Sequence, residues 1–181
     1  MNKLLIMCIS FLVLTFQVQA DEFQATIDEF KKSEKTSVFF DEAYGYAVFP
    51  TVGKGGLGID GAFGEGQVYL AGKPTGSVSM AQITIGFQAG GQAFSQIIFL
   101  QDKHAYDVFT AGSFAFSVQA SAIALTVGAS AQAGTSGTGA VAGSTQSEAH
   151  YVDGFSVFTL AKGGLMYEAS IGGQKFKFKA Y

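Results

Sequence analysis

Apolar residues recur at helical spacing near the start of the chain. Phe23, Ile27 and Phe30 fall on one stripe, and charged residues fill the opposite face. The pattern predicts a helix from Asp21 to Lys35, capped by Asp21, with Ser37 to Ala43 adding a further turn or two. From Tyr44 the period becomes two. Tyr44 to Val52 reads as an aromatic-rich strand. Leu57, Ile59, Gly61 and Phe63 then alternate with Gly58, Asp60, Ala62 and Gly64, and Gln67 to Leu70 continues as a strand. Ala71-Gly72-Lys73-Pro74 is a turn. Ile83, Ile85, Phe87 and Ala89 alternate next, Gly90-Gly91 marks a bend, and Phe94 to Leu100 is a further strand.

Asp102 to Ala111 predicts one short helix. Asp102 is its N-cap, Ala105, Val108 and Phe109 share a face, and Gly112 occupies the position just past its end. Phe114 to Val127 alternates small polar with apolar residues, as a strand or bent pair does. Ala133 to Ser147 is uncharged and rich in Gly, Ser, Thr and Ala, the composition of a flexible loop. Gly154 to Leu160 and Leu165 to Ile171 are two strands around Lys162-Gly163-Gly164, and Gly172-Gly173 turns into Lys175 to Tyr181. The expected fold is α+β. An N-terminal amphipathic helix precedes a mostly antiparallel, glycine-rich β-sheet or sandwich with one short internal helix.

The first twenty residues are set apart from this pattern. Lys3 supplies a positive n-region, Leu4 to Phe16 an apolar h-region, and Val18 and Ala20 the small residues of a cleavage site. The expectation is a signal peptide over 1–20, cleavage before Asp21, and one exported domain over 21–181, periplasmic or secreted. The apolar run is short for a membrane span. Cys8, the one cysteine, lies within the removed segment. The exported domain then has no disulfide, thiolate metal site or cysteine nucleophile.

Composition narrows the function classes. Charged residues are 14% of the chain against about 25% in typical globular proteins, and Gly (24) and Phe (18) are abundant. This suits a soluble β domain or an outer-membrane barrel. The chain lacks Arg and carries a net charge of −3, so it has no basic footprint for nucleic acid. Gly53-Lys54-Gly55-Gly56-Leu57-Gly58 matches G-x-G-x-x-G, but a dinucleotide site needs a helix to start there and an acidic residue about 20 positions on. Alternating strand residues follow instead, and Ser77-Val78 stands at the acidic position. No nucleotide or cofactor is expected. His104 and His150 have no partner at metal-ligand spacing, so no metal is expected. None of Ser77, Ser113 and Ser144 sits in a G-x-S-x-G elbow. Asp60 and Glu65, five positions apart, point to opposite faces of a regular strand, a poor pair for acid–base work. The expectation is a non-catalytic protein.

Two groups of residues suit a membrane surface. Beside the stripe of Phe23, Ile27 and Phe30 stand Lys31, Lys32 and Lys35, as on an interfacial helix. At the other end, Lys175-Phe176-Lys177-Phe178-Lys179 on a strand puts three ammonium groups on one side and two rings on the other. That arrangement suits either a solvated edge strand or contact with an anionic surface.

The run from Tyr44 to Tyr69, with Val48-Phe49-Pro50, then Lys54-Gly55-Gly56, then Gly61-Ala62-Phe63-Gly64-Glu65-Gly66, resembles the opening of the SYLF domain family. Phe158 to Gly173, with Lys162-Gly163-Gly164, is similar to that family's closing segment, and Gly86 to Gly91 to its central glycine segment. The resemblance covers roughly Phe30 to Phe178. It departs from many members in having Val78-Ser79-Met80-Ala81 near the place of a Trp-Ser-x-Pro element, with no Trp in the chain. The resemblance implies binding to a phospholipid or membrane surface, carried by Phe23, Ile27, Phe30, Lys31, Lys32 and Lys35. It brings no catalytic residue, and the family's actin association is not transferred. The competing expectations are a small outer-membrane-associated structural protein or a scaffold for a protein partner, and, more remotely, a hydrolase. Against a barrel, Lys179, Lys177 and Lys175 stand two, four and six places before Tyr181, where a last barrel strand needs lipid-facing apolar residues.

Overall fold

The computed structural model describes residues 21–115, 125–126 and 150–181. The expected signal peptide and the Gly/Ser/Thr/Ala segment Ala133 to Ser147 lie outside them. The fold is α+β. Helix α1 covers 21–31 and α2 covers Glu34–Glu42. Strands β1 (Gly45–Leu70) and β2 (Lys73–Leu100) follow, then helix α3 (Lys103–Thr110), short strands β3 (Ser113–Ala115) and β4 (Leu125–Thr126), and β5 (Phe155–Ala180). Among the described residues these strands form one sheet in the order β1-β2-β5-β3, with β4 also on β5. All pairings are antiparallel except β4 with β5.

The sheet is built on three very long strands. The pattern predicts separate segments broken at glycines, yet the β1–β2 and β2–β5 ladders run through Gly53-Lys54-Gly55-Gly56, Gly90-Gly91 and Gly172-Gly173. Glycines interrupt the side-chain pattern without removing backbone donors or acceptors, so pairing continues across them. Register shifts at Phe49/Val52, Leu57/Ile59 and Ala93/Phe94 supply the irregularities that let strands of this length bend. The β1–β2 turn is tighter than the expected four residues. Leu70 pairs with Lys73, and Ala71 and Gly72 both have positive φ (48° and 74°), as a two-residue primed turn requires.

The sheet folds over on itself. Ala47, Phe49, Ile98, Leu100, Phe155 and Val157 from one half pack against Ala62, Val68, Val78, Met80 and Phe176 from the other. Close approach depends on small residues: a Cβ on Gly64 would meet Val52, and one on Gly76 would meet the Phe178 ring. Within this core Gln96 and Gln174 exchange two amide hydrogen bonds of 3.1 Å, and Gln174 donates a third, also of 3.1 Å, to Gln82. Helix α3 closes one end through Ala105 and Phe109. Asp102 caps it, its carboxylate accepting from the Ala105 amide at 2.8 Å, and Gly112 past its end has φ 105°. Val108, expected on the buried face, is 36% exposed.

The N-terminal helix departs from the single expected run. Asp21 is already helical rather than capping, and the helix breaks at residues 32–33. Ser33 is extended, and the buried Thr36 hydroxyl donates to the carbonyls of Phe30 and Ser33. The break redirects the chain so that Phe30 of α1 and Phe39 of α2 enter the same core. That second core joins Phe23, Ile27, Phe30 and Phe39 to Val48, Tyr69, Ile97, Phe99 and Phe158 on the outer side of the sheet. The Phe39 ring lies 5.4 Å from Phe99 and 5.0 Å from Phe158, within the range of favourable aromatic pairs.

Candidate functional site

Alternation along β5 separates its last residues by face. Phe176 is buried and Phe178 partly buried in the sheet core, while Lys175, Lys177 and Lys179 are exposed on the outer face. Register carries the same division across the sheet. Ser79 pairs with Lys177 on one side and Glu65 on the other, and Ser77 likewise with Lys179 and Gln67. These two rows form the floor of an open cleft of about 600 Å³, with Phe23 of α1 and Tyr181 among its lining residues. The strand is not an edge here. Lys175 and Lys177 pair with Ala115 and Ser113 of β3, so the edge-protection role allowed by the sequence does not apply at these positions.

The cleft therefore joins residues nominated from opposite ends of the chain: Phe23 from the helical stripe, and Lys177 and Lys179 from the tail. Lys175 stands one step further along the same strand face. Ile27 and Phe30 are not in the cleft; at 2% and 0% exposure they anchor α1 to the protein. Lys31, Lys32 and Lys35 are exposed at the α1–α2 corner. Lys31 lies over the Phe40 ring, 5.3 Å from its centroid, and Lys32 pairs with Glu29 at 3.0 Å. A polar tie fixes the start of α1. The Lys162 ammonium donates to the Thr51 hydroxyl at 3.0 Å, and that hydroxyl donates to Glu22 at 3.2 Å.

No family model matches the chain, and no solved structure matches it. The chain is similar to a protein of Aeromonas veronii called Beta cell expansion factor A, at 31% identity over 154 residues. The match takes in 84% of this chain and 52% of that protein, so the chain spans about half the length of the curated relative it matches.

Chemically, the cleft presents two ammonium groups, two serine hydroxyls and an amide beside one carboxylate, Glu65. That donor set suits an anion better than a cation. Two positions beyond Gln67 on β1, Tyr69 donates its hydroxyl to Gln67 at 2.8 Å and stacks on Tyr46 at 5.1 Å. Burial, with Tyr46 and Tyr181 adding to it, pushes the Tyr69 phenol up to about 12, and burial also raises Tyr46. His104 and His150 are both exposed outside the cleft. Among the described residues no cluster of His, Cys, Asp and Glu could hold a metal, and no helix is long and apolar enough to cross a membrane.

The sequence pointed to Lys177 and Lys179 because lysine and phenylalanine alternate there. It did not point to Glu65, Gln67, Ser77 or Ser79. The available signal was the period-two spacing of Ser77 and Ser79, but their placement beside the lysines follows from a register spanning about a hundred residues.

Proposed function

We propose that this chain is an exported, non-catalytic module of the SYLF type that binds an anionic lipid or membrane surface. The reading is carried by the open cleft in which the exposed Lys177 and Lys179 stand with Ser77 and Ser79, a donor set that suits an anion. The resemblance in the glycine-rich segments supports it, as does the signal-like start. Each lysine near an anionic leaflet contributes about 1 kcal/mol of attraction, an amount that salt screens.

The energetics of α1 constrain how such binding occurs. Lifting the helix off would expose Phe23, Ile27 and Phe30, at about 1.5–3 kcal/mol each. That sum is comparable to the whole stability of many domains. A membrane could return much of it, but the undocked protein would be left with the apolar surface of Val48, Ile97 and Phe158 uncovered.

The test is sedimentation of the purified protein with anionic and neutral vesicles at low and physiological salt. Binding that requires anionic lipid and falls with salt is the expected result. Absence of binding to both would overturn the reading and favour a protein partner.

A further inference from the structure

The outer face carrying the lysine column continues past the cleft and changes character. Phe63 pairs with Ala81, which pairs with Lys175, so all three stand in one row on that face. Ile83 is the next outward residue of β2 and the diagonal neighbour of Phe63. Its own row partners are Gly61 and Gly173, which offer no side chain to shield it. Accordingly Phe63 is 56% and Ile83 69% exposed. Among the described residues, the other large exposed apolar residues on secondary structure, Val38 and Val108, sit singly on separate helices. Diagonal neighbours on a sheet lie about 7–8 Å apart at Cα, close enough for these two side chains to act as one patch. Among the described residues no carboxylate pairs with Lys175, Lys177 or Lys179.

We propose that this sheet face, with Phe63 and Ile83 as apolar knobs and Lys175, Lys177 and Lys179 as a cationic column, is what docks on an anionic lipid leaflet while α1 stays on the protein. The inference rests on the lipid-surface reading above and assigns it a face. The charge pattern selects the occupant. Ammonium groups on flexible stems reach phosphate-level anions while their stems and the two knobs lie against apolar lipid. The three lysines follow at every second residue, so they can engage a planar anionic surface together. The helix stripe cannot do this without leaving its core, whereas this face is exposed in the folded protein.

The chain contains no Trp, so a single introduced Trp reports on one place. Phe63→Trp and Phe30→Trp variants of the exported protein are mixed with phosphatidylglycerol-containing vesicles carrying brominated lipid. The Phe63→Trp emission is expected to shift to the blue and be quenched, with the Phe30→Trp emission unchanged. A Lys175→Gln/Lys177→Gln/Lys179→Gln variant should lose roughly a hundredfold in vesicle affinity, about fivefold per lysine. Hydrogen exchange on the unaltered protein provides a check that does not depend on how Phe30→Trp folds. Amides of residues 25–31 should stay protected on vesicles. Quenching of Phe30→Trp but not Phe63→Trp, loss of protection in α1, or undiminished binding of the triple variant would each overturn this face while leaving lipid binding standing. Failure of the unaltered protein to bind any vesicle would overturn both.

Discussion

Gly66 lies directly against Val48, so close that a Cβ on Gly66 would stand 2.5 Å from the Val48 carbonyl oxygen and 2.7 Å from the neighbouring Phe49 ring. Both residues belong to β1, eighteen positions apart, and their contact marks where the two halves of one strand face each other. The folded-over sheet depends on that missing side chain.

Gly66→Ala is therefore expected to destabilise the protein by about 3 kcal/mol, the upper end for overpacking, because the obstruction is backbone and cannot rotate away. Gly53→Ala is the matched control. It lies in the same strand with nothing within 4 Å of the added carbon, and should change stability by less than about 0.5 kcal/mol. Thermal unfolding of the two variants distinguishes them. Equal melting temperatures would contradict the folded-over arrangement.

The burial of α1 leads to a second expectation. Phe30 is fully buried, so Phe30→Ala should cost about 3–5 kcal/mol in denaturant unfolding. Lys35→Ala, at an exposed position on α2, should stay within about 0.5 kcal/mol. A small effect at Phe30 would mean that the helix contributes little to the core.

The glutamine network inside the sheet calls for a double-variant test. Gln174→Leu leaves the Gln96 amide buried without its two bonds and should cost about 1–3 kcal/mol. Adding Gln96→Leu removes the stranded group, so the double variant should be less destabilised than the sum of the singles. Additive losses in denaturant titrations would show that the two amides do not act as a pair.

Alkaline pH should weaken the fold. Burial, the main cause in each case, pushes Tyr69 and Tyr151 to about 12, from an ordinary value near 10. Between these values the unfolded chain loses phenolic protons that the folded chain keeps, so stability falls as pH rises from about 10 towards 12. Below pH 10 the contribution is fully present. Unfolding midpoints measured across this range should fall, and Tyr69→Phe should flatten the decline. An unchanged slope in that variant would remove Tyr69 as a cause.

The two ends of α3 illustrate what could be read locally. Asp102 accepts from an amide three residues away, and Gly112 adopts positive φ immediately after the helix. Both effects act within one turn, so neighbouring residues suffice to predict them. The same holds for the alternation from Lys175 to Lys179 and for the apolar stripe of α1, since each depends only on the period of its own element. The site was legible only in part: its lysines and Phe23 could be named, but not the surface that joins them.

Strand continuity was decided elsewhere. Gly53 to Gly56 and Gly172-Gly173 read as interruptions because glycine adds nothing to a side-chain pattern. They remain in strands because β2 lies against both β1 and β5 and holds their backbones in register. The break at Ser33 is settled similarly, by Thr36 turning back to Phe30 as Phe39 enters the second core. The sequence alone determined the α+β class, the apolar stripe of α1 and the two-sided tail, because those follow from local periodicity. Only the tertiary structure set Phe63 in a row with Lys175, 112 positions further along the chain, because strand register is a property of paired backbones and no single segment carries it.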